Sequence, residues 1–134
     1  MVFGLFKKKV SKPASFRDAA SSALAIQLAL TDADTKRLLS DKFALGYMFG
    51  FHDGLLQAME MGNRADAFTA MAASYECLFA DSPDGPDILE QSLHLQDDAT
   101  FKKGMVAGGA ELFEYLKEKK PPMGLATHLQ GSEG

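Results

Sequence analysis

The chain has 134 residues, 46% apolar and 24% charged, which excludes a disordered chain and gives a domain long enough to bury roughly two-thirds of its unfolded surface without metal or disulfide staples. No run approaches the ~18 uncharged apolar residues of a membrane-spanning helix, and the single cysteine, Cys77, has no partner in the chain, which suits a reducing cytoplasm. The net charge of −4 is uneven: residues 1–12 carry four lysines and no acid, while Arg64 to Lys102 encloses Asp66, Glu76, Asp81, Asp84, Asp87, Glu90, Asp97 and Asp98 with no Lys or Arg between, a layout that repels phosphate backbones, argues against a nucleic-acid partner and can attract a basic protein.

In chain order, residues 1–13 read as a mobile basic N-terminal segment, 14–120 as one helical bundle and 121–134 as a loosely ordered tail. The apolar residues Phe3, Leu5 and Phe6 precede Lys7, Lys8 and Lys9, the reverse of a secretory signal. Such a segment can make weak membrane-surface contact through residues 1–9, or fray as an ordinary terminus. The first helix is predicted from about Ser15 to Leu30, with a Ser15–Asp18 capping box and a stripe of Phe16, Ala19, Ala23, Ile26 and Leu30. Asp32 or Asp34 caps a short helix through Leu38 and Leu39. A second long helix follows Ser40 and stops near Gly62; it is apolar on nearly every side and belongs in the centre of a bundle.

Asn63 and Asp66 open the third helix, which reaches about Ala80 and buries Phe68, Ala72, Tyr75 and Phe79. Asp81–Asp87 is a loop by composition. A shorter fourth helix carries Pro86 in its first turn, then Ile88, Leu89, Leu93 and Leu95. Asp97 or Asp98 caps the fifth, which runs to about Lys119 with Phe101, Met105, Gly108, Leu112 and Tyr115 facing inward. Pro121 and Pro122 end it, and Leu125 and Leu129 are positioned to dock from the tail. The reading is an all-α, single-domain bundle of about five main helices.

The second and fifth helices echo each other at an offset of 58 residues. Phe43, Gly46, Gly50 and Asp53 match Phe101, Gly104, Gly108 and Glu111, and Ser40 matches Asp98 as a cap. Glycines four apart clear one helix face and admit another backbone. Gly46, Gly50, Gly54, Gly104 and Gly108 are therefore the predicted helix-packing residues, and a pseudo-twofold arrangement would follow.

No Walker loop, dinucleotide fingerprint or nucleophile elbow is present, and no catalytic, cofactor or metal assignment is made. Tyr47, His52 and Asp53 are candidate ligand-binding residues beside the glycine-rich helix, since a pocket there needs a few polar groups. The alternative is that His52 and Asp53 are polar residues satisfied by neighbouring helices. Glu90 and His94 share a face but are too few for a metal site, and Cys77 sits among acids that disfavour a thiolate. The expected role is non-enzymatic: protein–protein contact, as a homodimer through a stripe such as Phe68–Met71–Tyr75. A ligand-binding protein and a membrane-surface adaptor are the alternatives.

Overall fold

The structure, a computed structural model, describes residues 12–61 and 64–131. The expectations for residues 1–11, Gly62 and Asn63 fall outside them. Every regular element among the described residues is a helix: α1 (Lys12–Ala29), α2 (Thr35–Leu39), α3 (Lys42–Ala58), α4 (Arg64–Leu78), α5 (Gly85–His94), α6 (Ala99–Glu118) and α7 (Gly124–Gly131). The all-α class is as the sequence predicts, but the described residues form seven helices where about five main ones are predicted. The extra short ones are α2, anticipated after Asp34, and α7, which occupies the stretch expected to be a loose tail.

Three aspartates start three of these helices by accepting otherwise unpaired backbone N–H groups. Asp34 accepts from Arg37 N at 2.9 Å, Asp41 from Ala44 N at 3.0 Å, and Asp98 from Thr100 N and Phe101 N at 2.9 and 3.0 Å. The cap of α3 is thus Asp41 and not Ser40, because Ser40 is spent closing α2, where its hydroxyl donates to Arg37 O at 2.8 Å. Nor does Ser15 cap α1, which is already helical at Lys12. α3 gives way after Ala58, with Glu60 in the left-handed region at φ 54°; α6 ends the same way at Lys119, φ 57°, just before the two prolines.

The most extensive helix pair is α3 with α6. Each contains three glycines, every one costing about 1 kcal/mol relative to alanine in a helix interior. Backbone contact offsets this cost. A Cβ on Gly46 would strike Phe101 O, and one on Gly104 would strike Phe43 O; on Gly50 it would strike Met105 O, and on Gly108 Tyr47 O, in each case closer than 3.0 Å. The hydrogen that stands in place of each Cβ points at that carbonyl, and such Cα–H···O contacts contribute about 0.5–1 kcal/mol each. Gly46 lies beside Phe101 and Gly54 beside Gly109 and Leu112, so the two helices run side by side in the same direction.

α1 packs along α4, and the remaining helices close around the two pairs. Phe16, Leu24, Leu45, Met48, Phe51, Ile88, Phe101 and Leu112 are fully buried. Several faces are rotated from the predicted ones. α1 buries Phe16, Ala20, Leu24 and Gln27, leaving Ile26 and Leu30 exposed. α4 buries Ala70, Met71, Ser74 and Tyr75, so Phe68 is exposed while Met71 and Tyr75 are already covered; the predicted dimer stripe does not exist as a surface. Tyr115 and Leu93 also face outward.

Neighbouring glycines in α6 give a sharp test. Gly109 meets only Gly50 O, at 3.7 Å from an added Cβ, whereas an added Cβ at Gly108 would lie 2.9 Å from Tyr47 C and closer still to its oxygen. Gly108→Ala should lower the urea-unfolding free energy by about 1–3 kcal/mol. Gly109→Ala should raise it by up to about 1 kcal/mol through helix propensity. Shifts of the same sign would contradict the packing.

Candidate functional site

Tyr47 projects from α3 where α6 and α7 converge and is fully buried. Its hydroxyl donates to Glu111 Oε1 at 2.8 Å and accepts from Gln27 Nε2 at 3.1 Å. Both partners go on to cap α7. Glu111 Oε1 accepts from Met123 N and Gly124 N at 3.0 and 2.8 Å; Gln27 Oε1 accepts from Leu125 N and Ala126 N at 2.9 and 3.1 Å. The unpaired amides at the start of α7 are thus satisfied by side chains from α1 and α6, and a carboxylate stands at the positive pole of its dipole. A Cβ at Gly124 would meet the Glu111 carboxylate, which would have to shift from its place against the Met123 and Gly124 amides. At the far end Arg37 donates to Leu129 O at 2.6 Å, and His128 pairs with Asp41 at 2.9 Å. This is the physical reason that residues 124–131 are a docked helix, with Leu125, Ala126 and Leu129 fully buried. Burial pushes the Tyr47 phenol well above its usual range; Gln27 opposes that shift and Glu111 adds to it, so Tyr47 remains the donor.

His52 points to another side of α3 and is also fully buried. Nδ1 lies 2.7 Å from Met48 O, which can only accept, so Nδ1 carries the proton. Nε2 therefore accepts from Ser74 Oγ, also at 2.7 Å. The ring stacks on Tyr75, 4.6 Å between centroids, and tilts against Phe16. A hydroxyl donating to an oriented neutral imidazole is the nucleophile–base pair of acyl-transfer enzymes. Here both members have 0% exposure, so no substrate reaches Oγ and the pair serves as a hydrogen-bonded link between α3 and α4. Beside it, the Tyr75 hydroxyl is buried next to Ser92, whose own hydroxyl donates to Ile88 O at 2.8 Å.

Asp53 is half-buried and accepts from Gln57 Nε2 on its own helix at 2.9 Å. The three predicted ligand residues are thus not brought together: Tyr47 faces α7, His52 faces α4 and Asp53 faces solvent. Three grooves open on the surface, and none of the three residues lines any of them. Gln27 and Ser74, which complete the two polar clusters, escaped the sequence reading; the only signal was a glutamine in register with Phe16, Ala20 and Leu24. Among the described residues no three His, Cys, Asp or Glu side chains group to hold a metal, and no helix is long and apolar enough to cross a membrane. No protein-family model, curated protein or solved structure matches the chain.

Burial holds His52 down to about 4, against the opposing effect of the Met48 hydrogen bond. The unfolded chain, with a histidine near 6.5, binds the proton first as pH falls. Stability from this residue is therefore complete above about pH 6.5 and is lost as pH falls towards 4. Between pH 7 and pH 5 the parent should lose about 2 kcal/mol more than His52→Leu, measured by urea unfolding at both pH values. Parallel pH profiles would contradict the assignment.

Proposed function

We propose that the chain is a small non-enzymatic helical protein that acts through protein–protein contact and forms a homodimer. The observation that carries this reading is the outward face of α6. Val106, Phe113 and Leu116 are 73%, 47% and 40% exposed and repeat at helical spacing around Gly109 and Ala110. A continuous apolar stripe of this kind on one helix marks an association surface. This surface replaces the Phe68–Met71–Tyr75 stripe, two of whose members are already covered.

The reciprocal glycine contacts support a pseudo-symmetric reading of α3 and α6. The offset of 58 residues carries Gly46 against Phe101 onto Gly104 against Phe43, and Gly108 against Tyr47 onto Gly50 against Met105. The exposed thiol of Cys77 favours a cytoplasmic, reducing setting.

Sedimentation at high micromolar concentration should give twice the chain mass, with something near the ~800 Å² per partner of a standard interface. Val106→Glu/Phe113→Glu should sediment as a monomer with unchanged helicity, since both side chains are exposed. A monomeric parent would contradict the reading.

A further inference from the structure

A groove of about 850 Å³ opens between the first turns of α1, the second half of α4 and the start of α5. Its lining is mainly apolar, with Tyr75, Phe79, Pro86 and Leu89 among its residues. Tyr75 itself is 3% exposed. The charge around it has one dominant sign. Glu76 lines the groove, and Asp81, Asp84 and Asp87 flank it in the α4–α5 turn and the first turn of α5; none of the four makes an ion pair among the described residues. The lone cation of the lining, Arg17, is paired with Asp18 at 3.0 Å.

The chain itself carries the complement. Its first eleven residues place Val2, Phe3, Leu5 and Phe6 ahead of Lys7, Lys8 and Lys9. They lead directly into α1 at Lys12, and Arg17 and Asp18 on that helix already line the groove. Eleven residues reach up to about 36 Å when extended, enough to cross a groove of this size. A short tether also supplies an effective concentration in the millimolar range, which no free peptide matches. We propose that this groove is the docking site of the chain's own residues 1–11. The phenylalanines cover the apolar lining, and the lysines lie against Glu76 and the aspartates of the α4–α5 turn.

Cys77 provides a native reporter, since it lines the same groove and is exposed. Its alkylation by iodoacetamide, a neutral reagent, is to be timed in the full chain and in two full-length variants. Phe3→Ser/Phe6→Ser removes the apolar contact without altering charge; Lys7→Glu/Lys8→Glu/Lys9→Glu reverses the charge. Neither touches the described core, so folding is not at stake. Both should speed alkylation, by roughly tenfold if docking covers the thiol nine-tenths of the time or more. A rate unchanged by either variant overturns the proposal. If the rate is unchanged while anionic vesicles bind the parent and not the variants, the segment belongs to a lipid surface and not to the groove.

Discussion

Two helices reach backbone contact only where neither interposes a side chain, and α3 and α6 meet that condition at Gly46, Gly50, Gly104 and Gly108. The gain there is not hydrophobic area, since glycine has little to bury. It is close approach itself, with dispersion between backbones and Cα–H groups aimed at carbonyls. Such contact is intolerant: one methyl at any of the four positions must displace backbone, which cannot yield as a flexible side chain does.

The rest of the fold depends on that fixed pair. Tyr47 on α3 and Glu111 on α6 stand 2.8 Å apart because the two helices are held in register, and their junction, with Gln27, caps α7. A slip of α6 along α3 would separate them and strip the first amides of α7. On another side of α3, His52 ties the pair to α4 through Ser74 and the Tyr75 ring. The buried polar groups of α3 are thus fasteners between helices. What is left outside is the apolar face of α6 and the acid-rimmed groove beside α4 and α5.

What was legible in the sequence was local or periodic. Asp34 and Asp98 announce helix starts because a cap acts within three residues. The glycine echo announces the α3–α6 contact because both halves of it are written in the same spacing. What was not legible depends on distant segments. Gln27 faces inward because amides 98 and 99 residues later need an acceptor, and nothing near Gln27 says so. With Gln27 inside, α1 is rotated, and Ile26 and Leu30 turn to solvent despite their apolar character. α7 looks like a tail because its caps come from α1 and α6 and not from its own flanks. The trio Tyr47, His52 and Asp53 failed to converge for the plain reason that residues at these spacings leave a helix in different directions.

Native-state hydrogen exchange on the full chain tests the central dependence most directly. If the α3–α6 contact underlies the fold, amides of Gly46–Phe51 and Gly104–Gly108 should exchange only through global unfolding, with opening free energies equal to the value from urea. Amides of α7 and α4 should open at lower cost. Exchange of the glycine-flanking amides at free energies below those of α1 and α4 would contradict the account.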